Sequence, residues 1–407
     1  MPFRQVIIRA VANILFFLKK EEIKNTHLKF LIFTGTSGKT TMKDSVYATL
    51  SGLGITAERS IYGYNNELGI ILTIIGISDF SVKKIQDWLR ALRQKVEGGR
   101  FICIELGADF YEDTDWFLSK FSPYGVFISS SDPSSWSHDI SHVERNRKKL
   151  FAATLHEGFI AYNYDDVTVK KLIQESNAQA KLISFSTQLN SQAFVSLESW
   201  ENPFMSFPVD KAVKMYDELT IKVGTTFHRL ELSRAIFEPQ VYGVLASYAC
   251  MYHISGMNLE KISRILDEYQ FSENRLQIYL AKNGAVVIED SYKATPLCTS
   301  WYLDMASRLH AQRKILIMTE MRPLTYGIND HYEHIGQQSL CADQVFFLGP
   351  ERLLTILHNS NKGVKGITAD EYMVLGKDLL TNSRQGDVVL LKGSLKYNLP
   401  TLRSMLV

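Results

Sequence analysis

The chain is poor in cysteine, nearly neutral in net charge and without a long apolar run. Its 407 residues include only four cysteines, which lie far apart and form no C-x-x-C pair. This pattern argues against a disulfide framework or a cysteine zinc site, and it suits a reducing cytoplasm, the expected location. A net charge of +2 gives no reason to expect a nucleic-acid partner.

No run of about eighteen apolar residues is present, so no membrane-spanning helix is expected. The N-terminal stretch "RQVIIRAVANILFFLKKEE" comes closest, but its apolar part is short and no signal-peptide cleavage site follows it. Two interpretations of this stretch stay open. It packs as a helix against the protein, or it makes peripheral contact with a membrane surface, because Arg4, Arg9, Lys19 and Lys20 flank its apolar residues.

Short apolar runs rich in β-branched residues alternate with helical patterns along the chain. In the first half, strands are predicted for "LKFLIFT", "FICIEL", "GVFISS", "GFIAYN" and "KLISFS". Amphipathic stretches at 42–53 and 82–96 separate some of them, which is typical of βαβ units in a mostly parallel sheet. Shorter, more polar strands are expected at 188–233, followed by two helices at 239–255 and 258–269.

A second series of strands then begins, with "AVVIED", "KILIMTE", "QVFFLG" and "DVVLLKG" separated by helical patterns. Four more units of this kind indicate a separate doubly wound domain. We therefore predict an α/β fold in three parts. These are an N-terminal helical extension (1–26), a central P-loop domain with a mostly parallel sheet (27–270) and a C-terminal Rossmann-like domain (271–407).

The stretch "TGTSGKTTMKDS", which begins at Thr34, lies between a predicted strand and a predicted helix. Phe33 stands where the common phosphate-loop pattern requires its first glycine, so the loop is a shorter variant. Backbone N–H groups of such a loop and the helix N-terminus can surround phosphate oxygens. The predicted nucleotide-binding residues are Gly35, Thr36, Ser37, Gly38, Lys39, Thr40 and Thr41. The alternative is a strand–helix turn without a ligand.

Five segments in order resemble the Mur ligase family. "GTSGKTT" resembles its ATP loop, and "YNNELGIILTIIG" (64–76) is similar to a segment of the branch that adds D-alanyl-D-alanine to the peptidoglycan precursor. "IELGAD" (104–109), "RLQIYLAKNGAVVIEDSYKATP" (275–296) and "LLKGS" (390–394) resemble later motifs of that branch. The resemblance covers almost the whole chain from Lys29 onward.

The resemblance implies an ATP-dependent ligase that activates a carboxylate as an acyl phosphate and joins it to an amine. The expected substrates are small molecules, a carboxylate and an amine such as an amino acid or short peptide, with ATP and Mg²⁺ as cofactors. Two other readings stay open. The chain could be a scaffold that binds ATP without ligating, or, less in keeping with the later motifs, a simple P-loop kinase or NTPase.

The resemblance also implies roles for individual residues. Lys39 would balance the β- and γ-phosphates, and Thr40 and Glu105 would hold Mg²⁺. Arg275 would reach the ATP phosphates from the junction between the two large domains. Asp290 would contact the nucleotide ribose.

On the substrate side, Asn65 and Asn66 match a family segment that faces the carboxylate substrate. Lys392 and Ser394 would meet the carboxylate of the amine substrate, or would only cap their strand.

The chain also departs from the family pattern. Fewer than thirty residues precede the loop strand, so the N-terminal nucleotide-sugar-binding domain is expected to be absent. Arg147 stands where the family has a carbamate-bearing lysine, with Lys148 beside it, and either cation could replace that charge. Gln240 and Gly243 replace two asparagines of a helix start.

The second metal position of the family is also altered. An ungapped alignment puts Ser135 there, and a short insertion would bring His138 into the place of the family's metal-binding histidine. His138 and His142 have the spacing of a helical metal pair, but no further signature supports zinc.

Overall fold

A computed structural model describes residues 3–61, 64–107, 113–131, 140–255, 259–269, 275–322, 324 and 327–407. Two sheets organise the molecule, one built from strands between residues 29 and 232 and the other from strands between 277 and 392. The predicted α/β fold is confirmed. The exact domain limits stay a prediction.

The first sheet has nine strands in the order β2-β3-β1-β4-β5-β6-β7-β8-β9. The strands from β2 to β7 in this order run parallel, and β8 and β9 continue antiparallel. Their bounds are β1 Lys29–Thr34, β2 Ala57–Arg59, β3 Phe101–Glu105, β4 Pro123–Ile128, β5 Phe159–Asn163, β6 Lys181–Ser186, β7 Val195–Glu201, β8 Asp217–Val223 and β9 Thr226–Leu232. Because β1 lies between β3 and β4, the residues that follow these three strands meet at one edge.

Helices cover both faces of this sheet, which gives two separate apolar cores. Helices α2, α10 and α11 contribute to one core, and α1, α3, α6 and α7 contribute to the other. The helices are α1 Phe3–Lys24, α2 Lys39–Gly52, α3 Glu67–Ile75, α4 Ile85–Arg93, α5 Asp113–Leu118, α6 Ile140–Ala152, α7 Val167–Gln174, α8 Pro203–Ser206, α9 Val209–Ala212, α10 Glu238–Ile254 and α11 Glu260–Glu268.

The second sheet has six strands in the order β10-β11-β15-β12-β13-β14, with β10 antiparallel and the others parallel. The strands are β10 Gln277–Leu280, β11 Val286–Asp290, β12 Arg313–Thr319, β13 Gln344–Leu348, β14 Val364–Gly366 and β15 Asp387–Lys392. The helices are α12 Pro296–Arg308, α13 Ile328–Gln338, α14 Glu351–Ser360, α15 Ala369–Asn382 and α16 Leu399–Leu406, with 3-10 turns at Ser339–Cys341 and Leu395–Tyr397. The four strands predicted for this part are all present.

Helix α1 packs one of its faces against the rest of the protein, as the first interpretation of the N-terminal stretch predicts. Val11, Ala12 and Leu15 are buried in the same core as residues of α3. Arg9 on α1 pairs with Glu67 at the start of α3, with Nε and Oε1 2.9 Å apart. No helix among the described residues is long and apolar enough to cross a membrane.

Leu15 and Leu18 offer a matched test of this packing, because they lie on the same helix with opposite environments. Leu15 is fully buried, whereas Leu18 is 52% exposed. Leu15→Ala should lower the free energy of unfolding by about 2–5 kcal/mol, the usual cost of truncating a buried leucine. Leu18→Ala should change it by less than about 0.5 kcal/mol. Urea unfolding of both variants measures the difference, and equal effects would contradict the packing of α1.

Candidate active site

The phosphate loop is held against the end of the neighbouring strand β4. Gly35 has φ 123°, and a Cβ there would meet Ser129 Oγ at 2.6 Å. The backbone N–H of Thr36 donates to Ser130 O at 3.0 Å, and Ser129 Oγ donates to Ser37 O. Gly38, with φ 77°, turns the chain into α2. The two glycines therefore occupy positions that a side chain would strain.

Lys39 and Thr40 begin α2 directly after this turn. Lys39 Nζ donates to Gly35 O at 2.5 Å, so its ammonium lies across the mouth of the loop. Arg275 lies just before β10, the first strand of the second sheet. Its Nη2 donates a hydrogen bond to Thr40 Oγ1 at 2.9 Å. The same guanidinium lies over the ring of Tyr292, 3.5 Å from its centroid. Thr40 and Arg275, both predicted to bind the nucleotide, thus meet at the loop although 235 residues separate them in the chain.

Glu105 ends β3 beside the loop and is tied to a buried lysine of α2. Glu105 Oε1 lies 3.1 Å from Lys43 Nζ, and the Lys43 side chain is 4% exposed. Burial alone would raise the pKa of Glu105, but Lys43, Arg275, a hydrogen bond from Thr40 and Lys39 together lower it. The carboxylate is therefore held ionised next to the loop.

The charge network continues behind Lys43. Its Nζ also donates to Ser60 O at 2.6 Å and lies 3.5 Å from Asp44 Oδ1. Asp44 in turn pairs with Arg59 at 2.9 Å. Lys43 was not a predicted site residue, although its position one helical turn after Lys39 could have indicated it.

A cleft of about 1230 Å³ lies between the two sheets and contains most of the predicted residues. Thr36–Thr41, Glu105, Arg275 and Asp290 line it, and so do Asn65 and Asn66. Asn66 caps α3, accepting a hydrogen bond from the Gly69 N–H at 2.9 Å. The remaining lining residues include Gln5 and Ile8 of α1 and the large side chains Trp200, Phe237, Trp301 and Met305.

Lys392 and Ser394 are not among the residues that line the cleft. Lys392 is fully buried, and its Nζ donates to Asp290 Oδ2 and, at 3.0 Å, to Lys293 O. The Ser394 N–H donates to Thr319 Oγ1 at 3.2 Å. The structure therefore pairs Lys392 with Asp290, which is predicted to contact the nucleotide. Its pairing with a substrate carboxylate would require that Asp290 release it.

Neither predicted replacement for the carbamate is among the residues that line the cleft. Arg147 is fully buried on α6 and donates to Ser131 Oγ after β4. Lys148 lies on another side of α6, where its Nζ is 3.2 Å from Glu175 Oε2. The structure thus does not bring Lys148 to the phosphate loop. His138, proposed for the second metal, lies outside the described residues.

The two replaced asparagines of α10 have structural explanations. Gln240 accepts a hydrogen bond from the Phe237 N–H at 2.8 Å and closes the start of the helix. At Gly243 a Cβ would meet Ser45 Oγ at 2.4 Å and the backbone oxygen of Thr41 at 3.1 Å. Glycine therefore lets α10 lie directly against the first turn of α2, where an asparagine side chain would collide.

Cys298 was also missed by sequence reasoning. It lines the cleft in the first turn of α12, and its Sγ lies 3.1 Å from Ser37 Oγ. With the Arg275–Thr40 contact, this is a second direct link between the phosphate loop and the second sheet's part. No short pattern around Cys298 could have indicated it, because the contact spans 261 residues.

The residues next to the loop fit a magnesium ion. The Thr40 hydroxyl and the ionised Glu105 carboxylate are hard oxygen donors, the type that Mg²⁺ prefers. No group of three His, Cys, Asp or Glu side chains that could hold a metal occurs within the described ranges. A magnesium ion held here would therefore also need oxygens from the nucleotide.

The fold and the cleft define an α/β protein of two sheets, with a glycine-containing strand–helix loop at the cleft between them. No family model matches the chain. It is 23% identical over 390 residues to the UDP-N-acetylmuramoyl-tripeptide–D-alanyl-D-alanine ligase of Buchnera aphidicola, covering 94% of this chain and 76% of the relative. The same enzyme of Borreliella burgdorferi is 22% identical over 347 residues, covering 81% and 64%.

Solved structures agree with the sequence matches. MurF of Acinetobacter baumannii superposes with a TM-score of 0.76 at 19% identity, covering 97% of this chain and 80% of that one. MurF of Thermotoga maritima, solved with ADP, gives 0.77 at 17% identity, covering 97% and 83%. The chain is thus similar to Mur ligases, mainly to enzymes named for the addition of D-alanyl-D-alanine, and it spans between 64% and 76% of the two curated relatives named.

One wall of the cleft depends on a buried carboxyl group. Trp200 lines the cleft, and its Nε1 donates to Asp217 Oδ1 at 2.9 Å. Asp217 Oδ2 accepts from the Ile236 N–H at 2.8 Å. Burial raises the pKa of Asp217 to about 7, although these hydrogen bonds act in the opposite direction.

Asp217 should make stability pH-dependent. Because its folded pKa is raised, the folded protein keeps a proton that the unfolded chain releases, so stability should fall as pH rises from about 4 to about 7. One such proton contributes at most about 1.4 kcal/mol per pH unit. Asp217→Asn cannot titrate, so its unfolding free energy should fall less over this window.

Chemical denaturation at half-unit steps from pH 4 to pH 8 measures the effect. Asp79→Asn, at a side chain that is 81% exposed, is the control. Parallel pH profiles for Asp217→Asn and the wild type would contradict the assignment.

Proposed function

We propose that the protein is an ATP-dependent ligase that joins a carboxylate to an amine through an amide bond. The observation that carries this proposal is the meeting of the phosphate loop, the ionised Glu105 and Arg275 in one cleft between the two sheets. Relatives whose names describe ligation of D-alanyl-D-alanine to a muramoyl tripeptide support the same reaction class.

In the proposed reaction, an oxygen of the substrate carboxylate attacks the γ-phosphorus of ATP, and ADP leaves. The amine then attacks the carbonyl carbon of the acyl phosphate, inorganic phosphate leaves, and the amine nitrogen loses a proton. This chemistry depends mainly on positioning and on neutralising phosphate charge. A magnesium ion would supply part of that neutralisation.

The protein's own residues would supply the rest. Backbone N–H groups of the loop and the start of α2 would bind the phosphates. Lys39 would leave Gly35 O, to which it now donates, and turn to the β- and γ-phosphates. Arg275 would bind phosphate oxygens from the opposite side, with its guanidinium plane kept in place by Tyr292. Glu105 and Thr40 would hold the metal.

The proposed carboxylate substrate approaches from the end of the cleft that Asn65, Asn66 and Glu67 line. It would be a peptide-like or amino-acid carboxylate related to a peptidoglycan precursor, and the amine would be an amino acid or short peptide. The supporting observation is that these three polar residues line the same cleft as Glu105. We place the reaction in the cytoplasm, where the four cysteines, all free here, would stay reduced.

The phosphate loop gives the direct test of the proposal. Lys39→Ala should weaken binding of Mg²⁺–ATP at least about tenfold, because a charge-assisted hydrogen bond of 1.5–3 kcal/mol is lost. It should also abolish turnover. Titration calorimetry measures binding, and phosphate release is assayed with a panel of peptide carboxylates and amines.

Lys261→Ala, at an exposed residue of α11, is the matched control and should behave like the wild type. A ligase releases phosphate only when carboxylate and amine are both present. ATP binding without such release across the panel would favour the scaffold reading, and equal ATP binding by Lys39→Ala would refute the loop assignment.

Replacing Arg275 tests whether the region that contains the second sheet contributes to nucleotide binding. Arg275→Ala removes both the contact to Thr40 and the charge that faces the loop. ATP affinity should fall at least about tenfold for loss of one charged hydrogen-bond partner.

Arg264→Ala, whose side chain is 85% exposed on α11, controls for loss of an arginine. Thermal unfolding without nucleotide separates a binding defect from a folding defect. Unchanged ATP affinity in a folded Arg275→Ala protein would remove this residue from the site.

A further inference from the structure

The face of α1 that does not pack is strongly apolar. Val6, Ile7, Ile14, Phe17 and Leu18 are exposed to between 41% and 76%, and Phe17 is the most exposed of them. At 100° per residue these positions lie within one side of the helix, opposite the buried Ala12 and Leu15. An exposed stripe of five large apolar side chains on one helix indicates a binding surface.

Helix α4 presents a second apolar stripe. Ile85, Leu89 and Leu92 are exposed to 76%, 45% and 42%, at i, i+4 and i+7 spacing on one face. Val82, just before the helix, is 42% exposed, and Ala91 is the buried residue of α4. The helix therefore turns its larger aliphatic residues to solvent, which is the reverse of the usual arrangement for a surface helix.

The two helices are in contact at their C-terminal ends. Lys19 Nζ on α1 donates to Gln94 O, at the end of α4, at 2.6 Å. Glu22 Oε1 accepts from the Val96 N–H at 2.6 Å. Lys19 is buried on the packed side of α1, so the two apolar stripes belong to adjoining helices. We call the exposed residues of α1 and 82–95 the α1–α4 face.

Positive charge surrounds this face. Lys20, Lys83, Lys84, Arg93 and Lys95 are all exposed. The acidic residues close to them in sequence also have basic partners: Asp79 and Asp87 pair with Arg90, Glu22 pairs with Lys19, and the exposed Glu21 and Glu97 lie 3.9 Å from Lys24 and 3.8 Å from Arg100. The rim of the apolar stripe is therefore basic, in a protein whose net charge is only +2.

We propose that the α1–α4 face binds the surface of an anionic lipid bilayer. Apolar side chains with lysine and arginine at their border match the acyl boundary and the negatively charged headgroups of such a surface. A second copy of the chain fits less well. A two-fold dimer presents the same patch on both subunits and would bring the two basic rims together.

Vesicle sedimentation of the full-length protein tests the proposal. Binding to vesicles of phosphatidylcholine with 30% phosphatidylglycerol should be strong, and binding to pure phosphatidylcholine should be at least tenfold weaker. The double variant Phe17→Ser/Ile85→Ser should lose at least tenfold in partitioning to the anionic vesicles, because both side chains are 76% exposed and would enter the bilayer boundary.

The control is Val167→Ser/Phe227→Ser, which replaces exposed apolar residues of α7 and β9 outside this face and should bind like the wild type. A third variant, Lys83→Glu/Lys84→Glu, should lose binding to anionic vesicles and its salt dependence. Melting temperatures confirm that each variant is folded.

Three results would overturn the proposal. The wild type could fail to bind anionic vesicles. The control pair could lose as much binding as Phe17→Ser/Ile85→Ser. Sedimentation equilibrium could show a dimer that Phe17→Ser/Ile85→Ser dissociates, which would identify a second copy as the occupant.

Discussion

The buried ammonium of Lys43 is the constraint on which the rest of the site depends. A charge that is 4% exposed is very costly unless an opposite charge accompanies it. Glu105 and Asp44 provide that charge, and Glu105 is thereby kept ionised at the end of β3. Because Lys43 lies one turn into α2, its pairing also fixes the helix start that follows the phosphate loop. One ion pair thus sets the relative position of the loop, the helix and the Glu105 carboxylate.

The residues around the second sheet add further charged groups to the site. Arg275 and the Asp290–Lys392 pair come from that part, and Arg275 reaches Thr40 across the cleft. Lys39 and Arg275 are both cations at the loop, and each donates to a protein oxygen in this structure. Phosphate oxygens would offer stronger, charged acceptors to both. Nucleotide binding and the approach of the two sheets are therefore expected to favour each other.

The sequence predicted those features of the fold and of the site that depend on consecutive residues. The strand "LKFLIFT" and the glycines at 35 and 38 indicated the phosphate loop because strand, turn and helix signals are consecutive there. Strands of three residues, β2 and β14, were missed because they carry too little periodicity. Lys148 and Lys392 could not be placed, since only tertiary packing decides whether a lysine faces a ligand or an internal carboxylate.

Helix α1 shows how one element can serve two surfaces. Gln5 and Ile8 line the cleft, and Arg9 holds Glu67 at the start of α3, next to Asn66. Phe17 lies about 14 Å further along the helix axis, at 1.5 Å per residue from Ile8. A rigid helix of this length links the cleft wall to the proposed lipid-binding face, and its orientation depends on the buried Leu15 and on the Arg9–Glu67 pair. Any change that releases α1 from α3 would therefore disturb the cleft wall at Gln5 and Ile8 and the α1–α4 face together.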